Sequence, residues 1–175
     1  MKIVINDANI LIDLAKLDLL DVFSKLNFEL HTTDFVYEEL NEEQKSPVSS
    51  LLENGTLNVI ETIEIEDFQG INDLLESSNG LSFEDCSVWY YSSKLSGTLL
   101  SGDGKLRKQV RKNGIEVRGI IYVFDELIKQ NLIKFSKGIE KIEQLTQLNN
   151  RLPKDEIEKR IESWSKNKNV GEHYV

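Results

Sequence analysis

The stretch that decides the fold reads Lys2-Ile3-Val4-Ile5-Asn6-Asp7, a short apolar run that ends on an acidic residue. Three consecutive β-branched side chains, from Ile3 to Ile5, favour a buried strand. Apolar residues then recur at every third position, which is typical of a helix: Leu11, Leu14, Leu17 and Leu20. We therefore expect Asp7 to lie where a buried strand passes into a helix.

Strand and helix patterns alternate along most of the remaining chain. Four further segments are predicted to be strands: Glu29–Thr32, Leu57–Ile60, Gly97–Ser101 and Ile115–Arg118. Helical spacing lies between and after them, as at Val88, Tyr91 and Leu95, a helix that Ser82 could cap. Alternating strands and helices predict a parallel sheet covered on both faces. The predicted fold is therefore a three-layer α/β/α fold with a central parallel sheet of about five strands.

Beyond about residue 135 the strand pattern stops and helical patterns remain. Two apolar stripes lie in this part: Ile139, Ile142, Leu145 and Leu148, then Ile157, Ile161 and Trp164. Pro153 indicates a fresh helix start between the two stripes. We predict an α/β domain over residues 1–135 and a helical C-terminal extension over residues 136–175, packed on or beside that domain.

The composition excludes several kinds of site. The chain has 175 residues, one cysteine (Cys86) and two histidines (His31 and His173). One cysteine cannot form an internal disulfide and suits a reducing compartment, so we expect a cytoplasmic protein. Two histidines do not favour histidine-based catalysis or a zinc site of the His/Cys type. No apolar run approaches the roughly 20 residues that a membrane span needs, so we expect no membrane association.

Three more carboxylates stand at predicted element boundaries as Asp7 does: Glu39, Asp85 and Asp103. The carboxyl ends of parallel neighbouring strands share one sheet edge, where open α/β folds bind ligands. Four acids at that edge would repel one another unless hard divalent cations lay between them. Mg²⁺ or Mn²⁺ held in this way can activate a water molecule for attack on a phosphodiester. The sequence therefore predicts a metal-dependent phosphodiesterase.

Each acid also has a structural alternative. Asp7 could be a helix N-cap, and Asp103 could be a turn residue between two glycines. Ser82 and Asp85 have the spacing of a capping box, although Asp is shorter than the Glu preferred there. Glu39 competes with its neighbour Glu38, which points farther from the buried face of the predicted helix. In each case we favour the metal-ligand role, for Glu39 rather than Glu38.

The charge is unevenly distributed along the chain. The net charge is −9, yet six basic residues lie between Lys105 and Arg118 against one acid, Glu116. A local basic stripe beside an acidic metal site can bind a phosphate backbone, because the local field matters more than the total charge. The alternative is a solvated helix face. Four residues of the stripe are predicted to bind substrate: Lys105, Arg107, Lys108 and Arg111.

Four sequence motifs together resemble the PIN-domain family of metal-dependent nucleases over roughly residues 1–130. They are Asp7-Ala8-Asn9, Val36-Tyr37-Glu38-Glu39-Leu40, Leu81-Ser82-Phe83-Glu84-Asp85 and Ser101-Gly102-Asp103. The resemblance implies that the four acids hold Mg²⁺ or Mn²⁺ and that Asn9 and Ser101 help to bind the substrate. It also implies single-stranded RNA as substrate, a VapC-like toxin neutralised by an antitoxin protein, and a homodimer.

Two other functional classes compete with this interpretation. A phosphoryl-transfer enzyme also gathers acids at a parallel sheet edge, but a dehalogenase-like phosphatase needs a second Asp where Asn9 stands. A receiver domain needs paired acids after the first strand, and Asn6-Asp7 offers one. A non-catalytic PIN-like module that binds RNA or protein is the other alternative. The four intact acids argue against it.

Overall fold

A computed structural model describes residues 1–171 of the chain, so that His173 lies outside the described residues. Within this range, five parallel strands form one sheet in the order β3-β2-β1-β4-β5. The strands are β1 (Lys2–Asn6), β2 (Phe28–Thr33), β3 (Leu57–Ile60), β4 (Thr98–Leu100) and β5 (Val117–Arg118). The predicted α/β fold with a parallel sheet of five strands is therefore confirmed.

Helices connect the strands of the sheet, and three more helices follow the last strand. Between β1 and β3 they are α1 (Ala8–Lys16), α2 (Leu20–Phe23), α3 (Asp34–Glu39) and α4 (Glu42–Glu53). The later ones are α5 (Ile65–Ser77), α6 (Phe83–Lys94), α7 (Gly104–Lys112), α8 (Ile120–Lys129), α9 (Phe135–Leu148) and α10 (Lys154–Gly171). No helix among the described residues is long and apolar enough to cross a membrane.

The leucine stripe after β1 spans two helices instead of one. Helix α1 ends at Lys16, and Asp18 has a positive φ of 53°, a conformation that stops the helix. All four leucines of the stripe are nevertheless buried. Together with Val4 and Ile5 of β1, which are fully buried, they form part of the core under the central strands.

The chain divides into two compact units, Met1–Ile120 and Ile121–Val175. The first unit contains the sheet and helices α1 to α7. In the second unit Phe124 of α8 stacks near Trp164 of α10, with ring centroids 6.4 Å apart. Ile128 of α8 packs on Gly138 of α9, where an added Cβ would come within 2.8 Å of the isoleucine. Helix α8 thus packs with α9 and α10. The division into units therefore falls earlier in the chain than residue 135. The predicted extent of the functional domain, residues 1–135, stays a prediction.

Candidate active site

Asp7 is the buried centre of the site. It directly follows β1 and occupies the N-cap position of α1, but its side chain makes no capping bond. Its Oδ2 atom instead accepts a 2.6 Å hydrogen bond from the Ser101 hydroxyl and another from the Asn9 amide. The side chain is 5% exposed. Asp7 therefore stands at the N-cap position without capping the helix through its side chain.

The pKa of Asp7 is raised by its surroundings. Burial is the largest cause and lifts the pKa from 3.8 to about 6, and the nearby charge of Asp85 acts in the same direction. The hydrogen bonds from Ser101 and Asn9 oppose this rise because they favour the ionised form. Ionised Asp7 is thus a buried negative charge that lies beside another negative charge.

The turn after β4 brings two more predicted residues, Ser101 and Asp103, into the network around Asp7. Strands β1 and β4 are parallel neighbours, and the Asp7 backbone N–H donates to the Leu100 carbonyl at 3.0 Å. The Ser101 oxygen that donates to Asp7 also accepts from the Asp103 N–H at 3.0 Å. The Asn9 carbonyl oxygen accepts from the Gly102 N–H at 2.7 Å. Side chains at the ends of two neighbouring strands therefore form one hydrogen-bonded network.

Gly102 approaches the Asn9 side chain closely at this turn. A Cβ atom at position 102 would lie 3.0 Å from the Asn9 carbonyl oxygen. A side chain there would push against the oxygen that accepts the Gly102 N–H. The glycine of the Ser101-Gly102-Asp103 motif thus keeps the turn close enough for Asn9 to contact both the turn and Asp7.

Asp85 and Asp103 both act as helix caps. Ser82 and Asp85 form a capping box, with the Ser82 N–H donating to Asp85 Oδ2 at 2.9 Å and the Asp85 N–H to Ser82 Oγ at 3.1 Å. Asp103 Oδ1 accepts from the Leu106 N–H at 2.8 Å, so Asp103 is an N-cap and not only a turn residue. Each capping bond uses one oxygen of a carboxylate, which has about four acceptor positions in all. Capping and metal binding are therefore compatible at both residues.

Glu39 and Asp85 do not lie where the sequence predicted. Glu39 ends α3, and Asp85 lies in the first turn of α6, which follows α5 and not a strand. The expected strand-to-helix junction is therefore wrong for these two acids and correct for Asp7 and Asp103. Asp85 nevertheless raises the pKa of both Asp7 and Glu39 through its charge, so it lies near both.

Glu39 and Glu38 have different surroundings. Glu38 is paired with Lys45 at 3.0 Å on the surface. The pKa of Glu39 is raised, first by partial burial and then by the charges of Glu84 and Asp85. The charges of Glu84 and Asp85 thus act on Glu39, whereas Glu38 is paired with a lysine, which favours Glu39 as the candidate.

A buried hydroxyl pair links the helices that carry Glu39 and Asp85. Thr33 Oγ1 and Ser87 Oγ are 2.7 Å apart, and both side chains are fully buried. The Ser87 hydroxyl donates to the Glu84 carbonyl at 2.7 Å, and Thr33 Oγ1 accepts from the Val36 N–H at 3.2 Å. With those roles taken, Thr33 donates to Ser87. The pair thus ties the start of α3 to the first turns of α6.

Ser87→Ala is expected to lower the free energy of unfolding by about 1–3 kcal/mol, because the buried Thr33 hydroxyl would lose its acceptor. Urea unfolding followed by circular dichroism measures this difference. Ser93→Ala, at an exposed position of the same helix, is the matched control and should change the free energy little. Equal losses in the two variants would contradict a specific role of the buried pair.

All but one residue of the basic stripe lie on α7, directly after the Ser101–Asp103 turn, and Arg118 lies on β5. Lys105 and Lys108 are exposed. Arg107 reaches back to the Ser101 carbonyl at 3.4 Å, and Arg111 reaches the Val117 carbonyl at 3.3 Å. Burial, and secondarily the charge of Arg111, lowers the pKa of Arg107. The two arginines therefore contact the ends of β4 and β5, whereas the two lysines face solvent.

Sequence reasoning missed the contributions of Thr33, Ser87 and Glu84. Thr33 could have been found, because a Thr three residues before Val36 at a strand end is a common N-cap. Ser87 carried no such signal, since its partner Thr33 is 54 residues away along the chain.

The donor chemistry of the site fits a hard divalent cation. Within residues 1–171, no three Asp, Glu, His or Cys side chains already converge as a metal cage. The acids nearest Asp7 offer only oxygen donors, as Mg²⁺ and Mn²⁺ prefer. Among the same residues, no Lys or Arg forms an ion pair with the four acids. A cation would therefore offset the negative charge of Asp85, which adds to the effect of burial in raising the pKa of Asp7.

Comparison with known proteins gives one family and a structural likeness. The model of a family described as a PIN domain matches residues 3–166. Among solved structures, the chain is similar to one in the 2.2 Å structure of VapBC-1 from nontypeable Haemophilus influenzae, at 20% identity and a TM-score of 0.49. That match covers 68% of this chain and 98% of the other. No curated protein matches the sequence.

Proposed function

This chain belongs to the PIN-domain family, and we propose that it is a metal-dependent endoribonuclease that hydrolyses phosphodiester bonds in single-stranded RNA. Buried Asp7 is the observation that carries this assignment. Its carboxylate is held by Ser101 and Asn9, and its pKa is raised by burial and by Asp85. A carboxylate fixed in this way, without a protein cation, is suited to binding a divalent metal ion.

Four acids would hold the ion or its water molecules: Asp7, Glu39, Asp85 and Asp103. When bound, Mg²⁺ or Mn²⁺ supplies a nucleophilic water and shields the charge on the phosphate oxygens. The protein's own contribution is to fix the carboxylates beforehand. The Thr33–Ser87 pair joins the helices of Glu39 and Asp85, while the Asp7 network joins the ends of β1 and β4.

Ser101 and Asn9 act in this proposal as positioning residues for Asp7. The Ser101 hydroxyl donates to Asp7 and accepts from the Asp103 N–H. Both polar atoms of the Asn9 side chain are likewise engaged, one by Asp7 and the other by Gly102. These bonds orient the Asp7 carboxylate, a role closer to metal binding than the substrate contacts that the resemblance implied.

The RNA backbone would pass along α7. Exposed Lys105 and Lys108 offer charges to successive phosphates. Arg107 and Arg111 each use part of the guanidinium on a backbone carbonyl and keep further N–H donors for phosphate oxygens. Because α7 begins at the Ser101–Asp103 turn, a backbone on this helix leads to the acids.

The biological setting is proposed from the family alone. We propose a cytoplasmic toxin of a toxin–antitoxin pair, with an antitoxin protein as partner and a homodimer as the assembled form. Family membership over residues 3–166 supports this setting, and size measurement of the purified protein with and without a co-expressed partner tests it.

The test of the function is cleavage of a labelled single-stranded RNA by the purified wild type. We expect cleavage with Mg²⁺ or Mn²⁺, loss of cleavage with EDTA, and recovery when excess metal ion is restored. Glu39→Gln should lower the rate about a hundredfold because it removes a carboxylate near Asp85. Glu38→Gln is the matched control and should leave the rate within about twofold, because Glu38 pairs with Lys45.

Two outcomes would contradict the proposal. Cleavage that persists in EDTA would exclude the metal-dependent chemistry. RNA binding without cleavage under any metal condition would instead favour a non-catalytic PIN-like module.

A further inference from the structure

The segment from Glu61 to Phe68 reverses the usual arrangement of polar and apolar side chains. Ile63 and Ile65 are 75% and 71% exposed, and Phe68 is 50% exposed. Asp67 in the same segment is only 6% exposed. Large apolar side chains that face solvent together often mark an interaction surface.

Polar contacts hold this segment in place at two points. Near its start, the Thr62 N–H donates to Asp34 Oδ2 at 2.9 Å. Near its end, Asp67 accepts a 2.7 Å hydrogen bond from the Tyr90 hydroxyl and pairs with Lys94. The exposed apolar side chains are therefore presented by an anchored segment and not by a frayed one.

We call the exposed apolar side chains of this segment the apolar patch: Ile63, Ile65 and Phe68. Ile65 and Phe68 lie three residues apart on α5 and so share a face of the helix. The Phe68 ring lies 5.2 Å from the ring of Phe83, which lies 4.8 Å from that of Phe35. The patch therefore continues into aromatic side chains at the starts of α6 and α3.

The charges around the apolar patch decide which occupant fits it. Three exposed glutamates alternate with the apolar residues: Glu61, Glu64 and Glu66. They would repel an RNA backbone, and in a contact between two copies of the patch they would repel one another. A positively charged partner would be attracted, since its cations could pair with these acids while its apolar groups cover the patch.

We propose that the apolar patch docks a cationic amphipathic segment of a partner polypeptide. The apolar side chains of that segment lie on the patch, and its Lys or Arg side chains pair with the three glutamates around it. This is the arrangement by which an amphipathic helix binds a complementary surface. The inference concerns a surface outside the acid site and is independent of the proposed nuclease activity.

The probe for this surface is a fluorescently labelled synthetic helix with Leu on one face and Lys on the other. Fluorescence anisotropy measures its binding to the full chain, with a twin peptide carrying Glu in place of Lys for comparison. We expect the Lys peptide to bind and the Glu peptide not to bind. The combined substitutions Ile63→Ser, Ile65→Ser and Phe68→Ser should weaken binding at least about tenfold.

A second pair of variants separates the patch from the general negative charge of the protein. One variant carries Glu61→Gln, Glu64→Gln and Glu66→Gln, and the control carries Glu42→Gln, Glu43→Gln and Glu53→Gln, all at exposed positions. Both lose the same number of charges. We expect about tenfold weaker binding and a flatter salt dependence in the first, and less than about twofold change in the second.

Three results would overturn the proposal. Equal weakening in the two glutamine variants would assign binding to net charge alone. A loss of self-association in the serine variant, measured by sedimentation, would assign the patch to a second copy of the chain. Displacement of the peptide by a single-stranded RNA that binds the wild type and not the serine variant would assign the patch to nucleic acid. Unchanged melting curves establish that the variants are folded.

Discussion

Asp7→Asn is expected to reduce the rate of RNA cleavage by about a thousandfold, because it removes the negative charge at the centre of the proposed metal site. The substitution keeps the shape of the side chain, and the oxygen of the new amide can still accept from Ser101. Asp7 is 5% exposed, so no other carboxylate or water can easily take its place. Single-turnover cleavage at saturating Mg²⁺ or Mn²⁺ measures the loss.

Asp21→Asn is the matched control, since it makes the same chemical change at an exposed position of α2. Its cleavage rate should remain within about twofold of the wild type. A thousandfold loss in Asp7→Asn with native circular dichroism would place the defect in the chemistry. A rate near that of the wild type would exclude Asp7 as a metal ligand.

The strands were the most predictable part of the fold. The predicted segments Lys2–Asn6 and Leu57–Ile60 coincide with β1 and β3, because each contains β-branched side chains that favour a strand. Strands β4 and β5 are shorter than the predicted segments Gly97–Ser101 and Ile115–Arg118. Ser101 lies just beyond β4, where its side chain is turned to Asp7.

Helices α4 and α5 could not be predicted from apolar periodicity. Helix α4 is polar, contains Pro47 and begins with a capping box between Asn41 and Gln44, which is a local signal and not a periodic one. Helix α5 exposes Ile65 and Phe68 and buries Ile71, and so its apolar residues do not all lie on its buried side. Periodicity identifies a helix only when the apolar residues face the core.

Candidate site residues could be selected from the sequence, but their geometry could not. The positions of Asp7 and Asp103 at the ends of neighbouring strands follow from the parallel sheet. The capping box of Asp85 was visible as a spacing, and the structure forms it. What the sequence could not show is that Asp7 makes no cap and turns its carboxylate to Ser101, 94 residues away. That contact depends on the register of β1 against β4.

Without added metal ion, the wild type is expected to lose stability as the pH rises from about 4 to about 7. Folding raises the pKa of Asp7 from 3.8 to about 6, so between these values the native state binds more protons than the unfolded state. A rise in pH then favours unfolding. Each pH unit between the two pKa values corresponds to about 1.4 kcal/mol, so the full loss is about 3 kcal/mol.

Other acids do not obscure this effect when wild type and Asp7→Asn are compared under the same conditions. Glu116 has a pKa lowered to about 2, mainly by Lys2, and its contribution to stability is lost only as the pH falls below its usual range. It is unchanged in the variant and cancels in the difference. We therefore expect Asp7→Asn to be about 3 kcal/mol more stable than the wild type near pH 8 in EDTA, and nearly equal to it at pH 4.

Metal ion should stabilise the wild type more than it stabilises Asp7→Asn. At a free concentration about 100 times the dissociation constant, binding to the native state alone adds about 2.7 kcal/mol to the wild type. Asp7→Asn should gain much less, because the charge that draws the ion is gone. Chemical unfolding at several pH values, in EDTA and in saturating Mg²⁺ or Mn²⁺, measures the free energy of unfolding of both proteins under both conditions. Parallel pH curves for the two proteins in EDTA would show that Asp7 is not held as a buried, unpaired acid, and equal gains from metal ion would place the ion elsewhere.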